Sequence, residues 1–469
     1  MLSFFKVNAN YHWISLVALL GLMRLPFLFY PLPLLIPELQ WMLIGEKMGQ
    51  GFMLYRDIWD NLSPLSAVVY WLIDSFFGRS QVAYQLIAAI LTIFQALYFN
   101  YLGQERQFFS ERNYVPAFLY LLFANISFDF STLSPALIST TFILLALGGL
   151  TKQMQREGVT EDVFEIGFYL SMATLFYIPS VVFLVWIVLV LFIYTGATIR
   201  LHALAIFGFL FPIALTLIFF FFQNASDSLN RNLLFSIFQT RQYNLNSFQA
   251  VIVVFFIPVL IGVLGFFRTV SFGRFTNYQS RVQQIMMLWF IMGMLTVVLM
   301  PYIAPMQFMV LLPPIVFFAN NFFLLSKRRL WLSELLTFVI FLGIFGLQYS
   351  ALTNPTSGWT VARLDNLRTQ TKQLPIEIKN QRILVIGNDE GEYRDNFPAT
   401  PYLNWDLAQY DLENPENYQS VISIYDNFTA DPPKYVIDKT NTMTKIFKHI
   451  PQLANRYKTT NQKGIYVLK

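Results

Sequence analysis

Long apolar runs separated by short polar links fill the first three quarters of the chain, and a polar stretch closes it. A bilayer core takes about 20 residues of apolar helix to cross. Runs of that kind lie at roughly 13–35, 82–103, 115–128, 133–150, 164–177, 178–196, 201–222, 248–267, 282–303, 305–325 and 331–351. They predict about eleven transmembrane helices. The runs at 115–128 and 164–177 are short for a full span, and the 164–196 stretch is split at Ile178-Pro179. A further run at 64–78 contains Asp74, is too short to span comfortably, and is predicted to lie along the membrane surface.

The pattern changes at Thr353-Asn354-Pro355, after which the chain carries 14 basic and 13 acidic residues. Val361 to Gln373 reads as a helix. Arg382 to Gly387 is a short continuous apolar run ending in glycine, the pattern of a buried strand. A helix is predicted over about Pro415 to Ile424, a strand at Pro433 to Ile437, a helix from Thr442 to Tyr457 and a closing strand at Gly464 to Leu468. Strands alternating with helices predict a small α/β layer. The expected organisation is a helical transmembrane domain over 1–352, with an outside loop at 36–81 carrying juxtamembrane helices, and a soluble α/β domain over 353–469. No internal repeat or low-complexity segment interrupts it.

Composition supports the membrane assignment: 55% of residues are hydrophobic and 13% charged, too few charges to cover a soluble chain of this length. The 49 Phe and 24 Tyr suit lipid-facing and interfacial helices. The absence of Cys excludes disulfides, thiolate catalysis and Cys-ligated metals, and the scattered His12, His202 and His449 form no metal motif. The net charge of +5 falls mostly in short loops, so it speaks for topology rather than for nucleic acid. With the N-terminus in the cytoplasm, twelve Lys and Arg lie in inside loops, against five (Lys47, Arg56, Arg79, Arg231 and Arg241) in outside loops before the last domain. That asymmetry follows the positive-inside rule and places everything after residue 352 outside. The first apolar run lacks a small-residue cleavage site and reads as a span rather than a signal peptide.

The first outside loop carries the chemistry. Pro37 can open a helix with Glu38 in its first turn, where a carboxylate suits the helix dipole. Gly51, Tyr55, Asp57, Asp60 and Pro64 follow at fixed offsets. This loop resembles the first outside loop of the GT-C glycosyltransferase superfamily, which includes protein O-mannosyltransferases and the aminoarabinose transferase of lipid A. The resemblance extends to Asp129 in the second outside loop, to Pro313-Pro314 after Met306-Gln307-Phe308, and to the outline of the C-terminal domain. Two positions depart from the family pattern. Pro37-Glu38 stands where an acidic pair is usual, and Gln307-Phe308 stands where a basic residue or His would meet a lipid phosphate.

The resemblance implies transfer of a sugar from a polyprenyl-phosphate carrier to an acceptor on the outer side of a bacterial inner membrane; no cofactor or metal follows from the sequence. The partners it implies are that lipid-linked donor, membrane lipid and an acceptor the sequence does not name. Departing phosphate leaves oxocarbenium character on the sugar, and a carboxylate beside the acceptor can take its proton. Glu38 is the implied base, with Asp129 positioning donor or acceptor. Asp57, Asp60 and Gln307 are further substrate-binding candidates, and Arg24 and Arg56 could hold the lipid phosphate. Each has a plainer reading. Glu38 can be a solvated first-turn acid, Asp57 and Asp60 can brace the loop beside Arg56, Asp129 can be an ordinary interfacial acid, and Arg24 can snorkel or pair structurally. Asp389, Glu390 and Glu392 read as a solvated turn after a strand, although strand ends also hold ligand sites. Two other classes fit the same pattern: a non-catalytic scaffold that kept the fold, and a transporter or lipid flippase, against which the lack of duplicated halves counts.

Overall fold

The computed structural model describes residues 1–9, 11–155, 160–235, 245, 248–272, 275–324, 330–353, 367–369, 378–388, 390–460, 462 and 464–469. The chain forms two compact units. The first comprises Met1–Leu32, Gln81–Thr216 and Ser247–Asp365, and the second Pro33–Ser80, Leu217–Asn246 and Asn366–Lys469. Residues 33–80, expected as a loop of the helical domain, therefore fold together with the C-terminal residues.

The first unit is helical. Among the described residues, six helices are long and apolar enough to cross a membrane: Gln81–Glu105, Pro135–Gln155, Ile199–Phe222, Phe248–Ser271, Asn277–Leu299 and Pro305–Leu324. Other apolar runs make shorter helices, among them His12–Arg24, Pro64–Phe77 and Ile178–Tyr194, while the last forms the 24-residue helix Leu330–Thr353. Prolines and polar links account for much of the difference from eleven. The run at 13–35 stops at Arg24 and restarts as the short helix Pro26–Phe29. The run at 115–128 is helical only over Val115–Phe123. The 164–196 stretch breaks after Phe176 into a 3-10 turn at Ile178–Val182 and a helix at Phe183–Tyr194. Proline lacks the N–H that a helix interior needs but is tolerated in a first turn, so Pro26 and Pro179 each open a new element.

Small and aromatic residues pack this unit. At Gly167 a Cβ would lie 2.0 Å from the carbonyl oxygen of Ala205, and at Gly208 2.4 Å from that of Phe164, so Thr160–Phe176 and Ile199–Phe222 cross in backbone contact. Trp186 and Trp289 are fully buried edge to face, with centroids 5.0 Å apart. Their indole N–H groups donate to Ile285 O at 3.1 Å and Val310 O at 2.8 Å, as buried indoles require.

The second unit carries a five-stranded sheet: β1 (Arg382–Ile386), β2 (Phe397–Pro398), β3 (Tyr435–Asp438), β4 (Tyr457–Thr459) and β5 (Ile465–Leu468), in the order β2-β1-β3-β5-β4. The β1 strand runs parallel to β2 and β3, pairing Leu384 with Val436, while β5 runs antiparallel to β3 and β4. The expected α/β layer is present. Its helices are Trp405–Leu412, Tyr418–Ala430, Thr442–His449 and Pro451–Arg456; the last two replace one continuous helix, divided at Ile450-Pro451. The helix expected over 361–373 lies outside the described residues except at 367–369, where Arg368 bridges Leu35 and the Thr369 N–H donates to Leu34 O at 2.9 Å.

The 33–80 segment supplies two helices, Ile36–Gly49 and Pro64–Phe77, which touch closely enough that a Cβ on Gly45 would lie 2.5 Å from Tyr70 O. Between them Trp59 enters the core of the sheet domain. It packs with Leu384, Ile386, Trp405 and Phe428, stands edge to face on Tyr402 with centroids 5.1 Å apart, and donates its backbone N–H to Pro401 O at 2.9 Å.

Candidate functional site

In the first unit the candidate residues gather around the link between helices Val115–Phe123 and Pro135–Gln155. The link is dense in polar residues, Asn125, Ser127, Asp129, Ser131, Thr132 and Ser134, and all of them are buried. Residues Phe128–Ser131 form a 3-10 turn that packs against a second 3-10 segment, Pro305–Leu311. The Met306 N–H donates to Asp129 Oδ2 at 2.8 Å, which brings Asp129 next to Gln307. Asp129 Oδ1, Ser131 Oγ and Gln307 Oε1 are buried without a hydrogen-bond partner. Burial pushes the Asp129 carboxyl up to about 6, against the lowering effect of the Ser127 hydroxyl and the Met306 N–H. A carboxyl near 6 with one unused oxygen can bind a hydroxyl or hold a proton at little cost near neutrality.

Arg24 attaches to the same link. Its Nε donates to Asn125 Oδ1 at 3.1 Å and its Nη1 to Gln85 O at 3.1 Å, leaving Nη2 buried without a partner. Asn125 is itself held by Nδ2 donating to Leu121 O at 2.7 Å and by Gln348 Nε2 donating to its carbonyl. Arg24, Asp129 and Gln307 thus converge on two 3-10 turns and one link, each with an unsatisfied polar atom. Buried polar atoms are paired in most native structures, and orphans concentrate where a ligand or water is expected.

The candidates of the second unit are more fully engaged. Arg56 forms a forked pair with Asp57, Nε to Oδ1 and Nη2 to Oδ2 each at 2.9 Å, and its Nη1 donates to Gln223 O at 3.0 Å. Met53 N–H completes Asp57 at 2.9 Å. Burial raises the Asp57 carboxyl, but these bonds outweigh it and hold the group below the ordinary carboxylate range. Asp60 accepts from Leu62 N–H at 2.7 Å and from Asn404 Nδ2 at 3.3 Å, while burial lifts it to about 6. Glu38 sits in the first turn of Ile36–Gly49 and is 1% exposed, so it is not a solvated acid.

Glu390 and Glu392 also depart from the solvated turn expected of them; Asp389 lies outside the described residues. Glu390 is buried and takes a hydrogen bond from Gln40 Nε2 at 3.0 Å, with Oε2 unpartnered. Burial, joined by the nearby charges of Asp60 and Asp406, pushes it up to about 8. Glu392 pairs with Lys439 at 2.8 Å. Ser131 and Asn125 were not singled out from sequence. The signal that could have found them is the run of polar residues from Asn125 to Ser134 between two apolar helices.

Comparison with solved structures places the fold. The chain is similar to the archaeal oligosaccharyltransferase AglB from Archaeoglobus fulgidus, solved in complex with an inhibitory peptide and a dolichol-phosphate. The TM-score is 0.53 at 12% identity, over 98% of this chain and 74% of that one. The apo form of the Archaeoglobus fulgidus oligosaccharyltransferase gives a TM-score of 0.50 at 12% identity, over 91% and 69%. The fold is therefore like that of AglB, in a mostly helical multi-pass membrane protein with a small C-terminal sheet. No curated protein matches the sequence. Residues 64–354, more than half of the chain, match a family described as of unknown function, and the chain belongs to that family, DUF6427.

Proposed function

We propose that the chain is a GT-C glycosyltransferase that moves a sugar from a polyprenyl-phosphate carrier to an acceptor on the outer side of a bacterial inner membrane. The observation that carries this reading is the fold shared with AglB across nearly the whole chain. The AglB complex holds a dolichol-phosphate and a peptide, which supports a lipid-linked donor and a separate acceptor here. The buried, incompletely bonded Asp129, Gln307 and Arg24 cluster supplies chemistry that suits such substrates.

In this reading the C1–O bond to phosphate breaks, the phosphate keeps the electron pair, and C1 becomes oxocarbenium-like. The acceptor oxygen or nitrogen bonds to C1 and releases its proton to a carboxylate. Glu38 is that base. Asp129, fixed by the Met306 N–H, orients a substrate hydroxyl through its spare oxygen and offsets developing positive charge. Arg24, clamped by Asn125, offers Nη2 to the phosphate. The proposal includes about eleven spans, counting the shorter apolar helices, with the N-terminus cytoplasmic and the sheet domain outside. It is tested by supplying a panel of polyprenyl-phosphate sugars to membranes with and without the chain. Transfer that depends on the chain supports it. No transfer across the panel removes it in favour of a scaffold or transporter.

A further inference from the structure

The crossing at Gly167 and Gly208 has a consequence at the ends of the two helices it joins. Both helices start on the same side of the crossing, Thr160 seven residues before Gly167 and Ile199 nine before Gly208. Between their N-terminal ends lies an open groove of about 830 Å³, lined among others by Glu161, Phe164, Glu165, Arg200, Leu204 and Phe207. Its floor is aromatic: the Phe164 ring lies 6.2 Å from Phe207 and 6.4 Å from Phe211, and Phe207 is 58% exposed.

The mouth of the groove is charged. Glu161, Glu165 and Arg200 are exposed, and no hydrogen bond or ion pair engages them among the described residues. Arg200 stands in the first turn of its helix, where the dipole disfavours a cation. An anion on the guanidinium, at the N-terminus of Ile199–Phe222, removes that penalty. The two glutamates beside it call for a cation within the same ligand. A floor of Phe and Leu below a mouth of mixed charge matches an amphiphile with a zwitterionic head.

We propose that this groove binds one zwitterionic aminophospholipid. Its phosphate sits on Arg200, its ammonium on Glu161 and Glu165, and an acyl chain runs over Phe164, Leu204 and Phe207. The site belongs to the first unit alone and involves none of the residues assigned to sugar transfer, so it stands or falls apart from that reading. A simple topological role for Arg200 as an inside-loop cation predicts no preference among lipid heads.

The test is native mass spectrometry of the full chain titrated with phosphatidylethanolamine and, separately, phosphatidylglycerol. The wild type is expected to retain one phosphatidylethanolamine several-fold more strongly than phosphatidylglycerol. Arg200→Gln should lose retention of both. The double variant Glu161→Gln/Glu165→Gln should still bind lipid but without the preference. Leu204→Trp fills the floor of the groove and leaves every charge in place, so it should abolish retention even if Arg200→Gln disturbs insertion. Equal binding of the two lipids by the wild type would overturn the proposal, as would wild-type retention by folded Leu204→Trp.

Discussion

The two clusters of candidate acids differ in how their oxygens are used. In the second unit, Asp57 and Asp60 follow the spacing that draws the eye in the sequence, yet all four of their oxygens accept hydrogen bonds from the protein. In the first unit, Asp129 has no spacing partner, yet among the described residues its Oδ1 is buried and bare, as are Ser131 Oγ and Gln307 Oε1 on the turns beside it; Asp162 Oδ2 and, in the second unit, Glu390 Oε2 are bare as well. A carboxylate whose lone pairs are already spoken for braces a loop; one with spare capacity in a dry setting can receive a substrate. Spacing in the sequence located a structural element, and spare bonding capacity located the candidate chemistry.

The contrast can be broken at several points. Trp59 ties the loop bearing Asp57 and Asp60 to the sheet core, so Trp59→Ala should destabilise the second unit by about 3–5 kcal/mol, the range for emptying a buried aromatic site. Thermal unfolding of the purified chain measures this, and an unchanged midpoint would show that the loop is not held through Trp59. Asp60→Ala should cost about 1–3 kcal/mol, because Leu62 N–H and Asn404 lose a buried acceptor. The same melt should recover most of that loss in Asp60→Asn if the loss comes from the missing acceptor.

Glu390 gives a pH dependence of defined sign. Its pKa is raised on folding, so the folded chain binds this proton more tightly than the unfolded chain. Stability is then highest at acid pH and declines as pH rises from about 4.5 to about 8. Asp60, raised to about 6, adds to the lower part of that decline. Glu390→Gln should flatten the profile above pH 6, measured as the unfolding midpoint against pH. The smallest effect is expected at Arg56: the pair with Asp57 is half exposed, and Arg56→Ala should cost less than about 1 kcal/mol.

Much of the fold was legible because apolar runs are a strong signal. The strands β1, β3 and β5 appear in the sequence as Ile383-Leu384-Val385-Ile386, Tyr435-Val436-Ile437 and Ile465-Tyr466-Val467-Leu468. The strands β2 and β4 span two and three residues, too short for any periodicity to show. Pro451 sits in the first turn of a new helix, where proline is welcome, and so the break it marks was read as a continuous helix. The site was less legible for a physical reason. Burial sets the properties of Glu390 and Asp129, and burial of a polar residue depends on partners remote in sequence, such as Gln40 for Glu390 and Met306 for Asp129.

The central claim is that Asp129, with its bare buried oxygen, takes part in the proposed sugar transfer and the spaced acids of the first loop do not. The most direct test is the rate of sugar transfer from a polyprenyl-phosphate donor by folded wild type, Glu38→Gln, Asp129→Asn and Asp57→Asn. The account predicts that the Glu38 and Asp129 variants lose about 10²–10⁴-fold, the usual worth of a positioned acid or base, while Asp57→Asn stays within a few-fold of wild type. Full activity in Asp129→Asn, or a loss in Asp57→Asn as deep as that in Glu38→Gln, would contradict it.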